Sequence, residues 1–287
     1  MSQRETRPAA PANGREMLAR GREFLEAKGV EEFRLDAELL VARALGLDRL
    51  GLFLALDRPL SPDEITRGRE LLVRRSKGEP TAYILGEREF YGRRFEVGAG
   101  VLVPRPETEL VVDRAREWAG TREGLRVVDV GTGSGCLAVT LALELSGARV
   151  QAIDLSAEAL AFARTNAAAL EAEVEFVEGD GFEELASRGP FDLVVSNPPY
   201  VSSAEKPNLA REVVEHEPAL ALFAPEGDTD YWARTLIERS EEWLAPDGVL
   251  LVELGFDQAE RLQGHAGVTI HTDYGGVPRV LEFTRGA

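Results

Sequence analysis

The chain has 287 residues, of which 44% are hydrophobic and 29% charged, the proportions of a globular protein with room for a large core and more than one domain. Its 50 acidic against 33 basic residues leave a formal net charge of −17, which opposes docking on a phosphate backbone, where binding depends on Lys and Arg displacing counterions. The single cysteine, Cys136, excludes an intramolecular disulfide and a thiolate metal cluster, and His216, His265 and His271 lack metal-ligand spacing.

Residues 1–14 are rich in Pro and Ala and lack the apolar centre of a signal peptide, and no later apolar run is long enough to span a membrane. The segment reads as a disordered leader on a cytoplasmic protein. Residues 15–78 read as a small helical domain. Arg15–Lys28 is followed by Gly29, a helix stop, and Leu35–Leu45 places Leu35, Leu39 and Ala42 on one face and ends at Gly46. Ser61-Pro62-Asp63-Glu64 combines an N-cap serine, a proline at the first helical position and the glutamate of a capping box. It predicts a helix to Ser76, with Leu71 and Leu72 inward and Arg74-Arg75 near its negative end. The bundle offers no chemistry of its own, and its expected role is to hold a partner or cover a site.

Over residues 79–106 the period changes. Ile84-Leu85, Glu89-Phe90-Tyr91-Gly92 and Arg94-Phe95-Glu96-Val97 read as a β-hairpin linker turning near Gly92. Val101-Leu102-Val103 reads as a short strand running into the stiff Pro104-Arg105-Pro106. Residues 107–287 then alternate strand and helix, the signature of a parallel α/β sheet. Strands are predicted at Arg126–Val130, Arg149–Asp154, Val174–Glu178, Phe191–Ser196, Gly248–Leu254, Val268–His271 and Arg279–Thr284. Helices are predicted at Glu107–Trp118, Cys136–Leu145, Ala157–Leu170 and Asp230–Leu244. Glu107, Thr108 and Glu109 read as a first helical turn, where acids favour the dipole.

Gly131-Thr132-Gly133-Ser134-Gly135 joins a buried strand to a helix, a turn that lets the backbone approach a ligand closely. In a doubly wound sheet it lies at the carboxyl ends of the strands, where ligands bind. The second strand ends in Asp154, placed to accept both hydroxyls of a ribose. After the third strand, Asp180 could accept from an adenine amino group and Phe182 could pack on the ring. A nicotinamide dinucleotide and S-adenosylmethionine both suit a glycine turn plus a ribose-binding acid. Cys136, a small buried helix residue, occupies the place where the dinucleotide motif requires its third glycine, and this spacing favours S-adenosylmethionine.

The fourth strand ends in Asn197-Pro198-Pro199-Tyr200. The Asn197 side-chain oxygen can accept one N–H of an incoming amide or amine. A proline has no N–H and holds the residue before it extended, so the Pro198 carbonyl is rigid and free to accept a second. Tyr200 offers a flat face for a planar group. As a plain turn the segment would carry no chemistry; behind a nucleoside site it becomes a holder for a planar nitrogen.

With these motifs in this order the chain resembles class I S-adenosylmethionine-dependent methyltransferases acting on planar nitrogens, which include adenine-N6 DNA methyltransferases and the glutamine-N5 methyltransferases of peptide chain release factors. The second group is matched over nearly the whole chain outside Met1–Gly14. The matching segments include Arg34-Leu35-Asp36-Ala37-Glu38-Leu39-Leu40, Gly78–Gly86, Glu89–Gly92, Val101–Glu109, Glu217-Pro218-Ala219, Glu253-Leu254-Gly255 and Asp273–Arg279. One departure is Gly181, which stands where that family often has an aromatic directly after the acid. The resemblance implies a Rossmann-like methyltransferase sheet with a small N-terminal helical bundle. It also implies methyl transfer to the glutamine of a Gly-Gly-Gln motif in release factors, with the helical domain helping to hold that protein. A nucleic-acid adenine-N6 methyltransferase and a non-catalytic binding module of the same fold are the rivals. The first needs a basic footprint and base flipping, which the net charge opposes; the second leaves intact motifs unexplained.

Overall fold

The structure is a computed structural model that describes residues 10–285. The chain divides after Gly86 into two units, where the sequence had closed the helical domain at residue 78. In the first unit the helices are α1 (Gly14–Ala27), α2 (Phe33–Ala44), α3 (Arg49–Leu54), α4 (Pro62–Ser76) and α5 (Thr81–Leu85). The predicted capping box at α4 forms: Ser61 Oγ accepts from the Glu64 amide at 3.3 Å, and Glu64 Oε2 accepts from the Ser61 amide at 2.8 Å. Residues 1–9 of the expected disordered leader lie outside the described residues. Its last residues are tied down instead, since Asn13 caps α1 at 3.0 Å and the Ala12 carbonyl accepts from the Leu60 amide.

Two further expectations for this unit give way. The inward face of α2 comprises Ala37, Leu40, Val41, Ala42 and Ala44, so Ala42 is buried as expected, while Leu35 is exposed and Leu39 half-buried. Leu35 and Leu39 also have helical spacing, but it is Ala37, Leu40, Val41, Ala42 and Ala44 that share a core with Leu25, Leu52 and Leu72. Ile84-Leu85 is helical in α5, with Ile84 in the same core. The strand pattern there is too short to tell from a buried helix turn.

The second unit starts with the hairpin β1 (Glu87–Phe90) and β2 (Arg93–Glu96), turning at Tyr91-Gly92 as predicted. Phe90 and Phe95 pack edge to face in the core beside the main sheet, so the hairpin is part of this unit. Val101-Leu102-Val103 forms no strand. Then follow α6 (Glu109–Ala119), β3 (Arg126–Val130), α7 (Cys136–Glu144), β4 (Arg149–Asp154), α8 (Ala157–Ala169), β5 (Val174–Glu178), α9 (Phe182–Arg188), β6 (Phe191–Ser196), α10 (Arg211–His216), α11 (Ala219–Leu222), α12 (Tyr231–Glu238), β7 (Leu244–Glu253), α13 (Ala259–Leu262), β8 (Val268–Thr272) and β9 (Pro278–Thr284). The seven strands run in the order β5-β4-β3-β6-β7-β9-β8. β3 to β7 are parallel and β9 is antiparallel to both its neighbours, so the sheet is mixed where the sequence suggested a parallel one.

The predicted helix Asp230–Leu244 ends at Glu238 because β7 begins early. Leu244 pairs with Phe191, the turn residues Pro246-Asp247-Gly248 bulge, and pairing resumes at Val249 opposite Leu193. Strand alternation sorts the side chains into two cores. Val127, Val249 and Leu251 face α6, α7 and α8; Val128, Leu250 and Val252 face α9, α12 and α13. The strand order reverses between β3 and β6, so the crevice for a ligand opens at their carboxyl ends.

Candidate active site

At that crevice lies a cavity of about 470 Å³. One side is the turn after β3. Gly131 and Gly133 have φ of +74° and +55°, and a Cβ on either would meet nothing within 4 Å. They serve a backbone path that other residues resist. Gly135 differs: a Cβ there would stand 3.1 Å from the backbone of Ala163, so this glycine lets α7 approach α8. Gly131 and Gly133 line the cavity, whereas Thr132, Ser134 and Gly135 do not. The Thr132 hydroxyl donates to Asp129 Oδ2 at 2.7 Å, and the Ser134 carbonyl accepts from Asn166.

Asp154 lines the cavity at the end of β4. Its Oδ2 accepts from the Gly133 amide at 2.8 Å and its Oδ1 from the Ser156 amide at 2.9 Å. Each oxygen keeps a second acceptor site, so the carboxylate can also take the two hydroxyls of a ribose. Burial raises its pKa against the pull of these amides. Asp129, one strand inward, was not singled out from the sequence. It is fully buried, with Oδ1 lacking any partner, and burial pushes its pKa up to about 7 despite hydrogen bonds from Thr132 and Ala138. An acid in the middle of Val-Val-Asp-Val was the available signal.

The opposite wall is Ser196, Asn197, Pro198 and Pro199. Asn197 Nδ2 donates to the Thr108 hydroxyl at 3.1 Å, which turns the amide's oxygen away from Thr108. Among the described residues no donor reaches Asn197 Oδ1 or the Pro198 carbonyl. Tyr200 is not part of this wall. Its hydroxyl donates to Glu253 Oε1 at 3.2 Å, one edge of its ring lies near Gly255, and the side chain is half-buried outside the cavity lining.

Asp180 and Phe182 line the cavity. Asp180 is exposed, and its Oδ1 accepts from the Phe182 amide. The Phe182 ring is stacked on Trp232 with centroids 5.2 Å apart and has the Arg239 guanidinium over it at 4.9 Å. Phe182, expected to pack on an adenine ring, lines the cavity as one member of an aromatic wall with Trp232 and Tyr231, the last two brought by α12. The mouth is bordered by Gly100-Val101-Leu102 and by Pro218, Leu220 and Ala221. Glu217, buried, clamps these two segments: it accepts from Arg105 at 2.7 Å and from the Val103 amide at 3.1 Å. Cys136 is buried and its thiol pushed up to about 12 by burial, an inert group.

Residues 16–86 match the family model of the PrmC N-terminal domain, and residues 108–228 that of the methyltransferase small domain. The chain is 44% identical over 250 residues to a release factor glutamine methyltransferase of Geobacter sulfurreducens, covering 87% of each chain. It is 43% identical over 273 residues to that of Chlorobaculum tepidum, covering 90% of this chain and 92% of the relative. Among solved structures, the hMettl16 catalytic domain in complex with an RNA hairpin superposes with a TM-score of 0.51 at 16% identity, over 77% of this chain and 80% of that one. That likeness is one of fold.

Proposed function

This chain belongs to the release factor glutamine methyltransferase family, and from that premise we propose that it transfers a methyl group from S-adenosylmethionine to the side-chain amide nitrogen of the glutamine in the Gly-Gly-Gln motif of bacterial peptide chain release factors. The observation that carries the reading is the pair of unclaimed acceptors, Asn197 Oδ1 and the Pro198 carbonyl, on the wall opposite the glycine turn and Asp154 of one cavity. Asp154 fits a ribose because both its oxygens retain acceptor capacity. Gly131 and Gly133 leave the backbone open to close approach, and Tyr231 with Trp232 offers aromatic surface to an adenine. The cofactor, when bound, supplies an electrophilic methyl carbon.

The chain's own residues must then solve the problem of the acceptor. An amide nitrogen is a poor nucleophile because its lone pair is shared with the carbonyl. Asn197 Oδ1 and the Pro198 carbonyl accept the two N–H bonds of the substrate amide, orient its nitrogen and bear the positive charge that develops there. Positioning of this kind is worth roughly 7–11 kcal/mol, and preorganised acceptors add to it. A strong base is unnecessary, since an N-alkylated, protonated amide loses its proton readily. A cytoplasmic place of action goes with such a substrate.

The test offers tritiated S-adenosylmethionine to the chain with purified release factor, with a release factor carrying Gln→Ala in its Gly-Gly-Gln loop, and with DNA. Label in the first alone is the expected result. Label in DNA, or equal label in the Gln→Ala protein, overturns the proposal.

A further inference from the structure

Behind the acceptor wall Asn197 joins a polar cluster whose other members, Thr108, Tyr200 and Glu253, do not line the cavity. Strand register builds it. β6 and β7 are paired with Ser196 opposite Val252, so Asn197 and Glu253 are the next residues out on adjacent strands. Alternation along β7 sends Glu253 to the same face as Val249 and Leu251, the face covered by α6. Thr108, buried just before α6, stands above it. Asn197 Nδ2 donates to Thr108 Oγ1 at 3.1 Å, Tyr200 donates to Glu253 Oε1 at 3.2 Å, and the Thr108 hydroxyl lies beside the Glu253 carboxyl.

Resting on the function proposed above, we infer that Glu253 is a positioning residue that acts through the Thr108 hydroxyl to hold the Asn197 amide with its oxygen toward the cavity. An Asn side chain can sit either way round, because its oxygen and nitrogen are nearly equal in shape. Only one way presents an acceptor to the substrate N–H; the other presents a donor to a donor. A hydroxyl has one hydrogen. If Glu253 is a carboxylate it takes that hydrogen, and Thr108 can offer Asn197 only a lone pair, which selects the Nδ2 end. If Glu253 carries a proton it can donate to Thr108 instead. The threonine hydrogen is then free for Asn197 Oδ1, and the amide turns over.

Burial pushes Glu253 up to about 7; the Thr108 and Tyr200 hydroxyls and Arg279 of β9 oppose this, while the Glu107 charge adds to it. Arg105 and Arg279 also face Tyr200, and the Cys136 thiol of α7 lies in the field of Glu253. Glu253 Oε2 is buried without a hydrogen-bond partner of ordinary geometry, and Oε1 accepts from Tyr200.

The test compares wild type with Thr108→Val, Thr108→Ser and Glu253→Gln, using release factor and S-adenosylmethionine. Wild-type kcat should fall as pH drops through about 7. Glu253→Gln should be slower by about tenfold or more, with a flat profile and unchanged cofactor affinity by calorimetry; the loss corresponds to one misplaced acceptor. Thr108→Val should behave likewise, and Thr108→Ser, which restores the hydroxyl, should recover most of the rate. In the absence of any substrate, the Asn197 side-chain amide resonances of the wild type should shift with the same midpoint and those of Thr108→Val should not. A wild-type profile retained by Glu253→Gln, or Thr108→Val as fast as Thr108→Ser, overturns the relay while leaving the function standing. No transfer by the wild type to release factor overturns both.

Discussion

Asp36, Glu38 and Glu64 are the buried acids described in the helical unit, and each meets an arginine. Asp36 pairs with Arg75 at 2.6 Å, Glu38 with Arg49 at 2.6 Å and also with Arg22, and Glu64 with Arg58 at 2.6 Å. Burial works against the Glu38 carboxylate, but the two arginines outweigh it and hold its pKa below the usual range; Arg58 does the same for Glu64. In the sheet unit Glu217 follows the same pattern with Arg105, whereas Asp129 and Glu253 do not. Both are buried, neither has an ion pair among the described residues, and each leaves one oxygen without a hydrogen bond. These two acids stand at the carboxyl ends of β3 and β7, behind the two walls of the cavity. A cation beside either would remove the buried field and the spare acceptor capacity that a site requires, which is why perturbed carboxyls gather at such places. Charge is neutralised where the chain only has to hold together, and left unneutralised where it has to do chemistry.

The largest effect should come from breaking a matched pair. Arg75→Met leaves Asp36 buried without its strong partner, and losing one member of such a pair costs about 3–5 kcal/mol. Native-state hydrogen exchange at the amides of α2 and α4 should show that loss, while the sheet unit still binds S-adenosylmethionine. Unchanged protection in α2 would mean that the pair contributes nothing and would dissolve the contrast between the units.

On the other side of the comparison, Asn197→Ala should leave cofactor affinity intact and reduce kcat by on the order of a hundredfold or more, as for loss of one preorganised polar group. Equal turnover by mutant and wild type in the label-transfer assay would remove Asn197 from the chemistry. Asp154→Ala should act on binding instead. Loss of hydrogen bonds to a charged group weakens affinity by roughly 10–100-fold, and a calorimetric titration matching wild type would exclude the ribose role.

How much of this was legible in the sequence follows the same division. The strands β3 to β6 were placed to the residue because buried apolar runs bounded by glycines and acids admit one reading. The Ser61 capping box and the hairpin turn at Gly92 carried their own local chemistry. Asn197, Pro198, Gly131, Gly133 and Asp154 were legible because their backbone and side-chain demands are local. Thr108, Glu253 and the aromatic pair Tyr231-Trp232 were not, because their roles arise from strand register and from packing across residues far apart in the chain. Phe182 lines the cavity and Tyr200 does not: sequence position shows that an aromatic is near the site, and only tertiary packing shows which neighbour takes its face. The face of α2 was decided the same way.

The smallest effect is the most direct reading of the contrast, because it is a slope and not a loss. The Asp129 carboxyl is pushed from its ordinary 3.8 to about 7 by burial, opposed by Thr132 and Ala138 and reinforced by the nearby Asp154 charge. Between those values the folded chain keeps a proton that the unfolded chain releases. The group's contribution to stability is therefore fully present below the lower value and is lost as pH rises through the upper one. Asparagine cannot titrate, so the stability of Asp129→Asn relative to wild type should climb from about pH 4 to about pH 7 and then level off. Whatever fixed cost the new amide adds shifts that curve without changing its shape. Glu38→Gln should behave in the opposite sense: its deficit should be constant above the ordinary glutamate value and shrink as pH falls below it, since the carboxylate is held low by Arg49 and Arg22. Denaturant unfolding resolves the first by tryptophan fluorescence, because Trp118, Trp232 and Trp243 all lie in the sheet unit, and the second by exchange protection in α2. Parallel curves for Asp129→Asn and wild type across this range would show that Asp129 is as well matched as the acids of the helical unit, and the distinction between the two units would go with it.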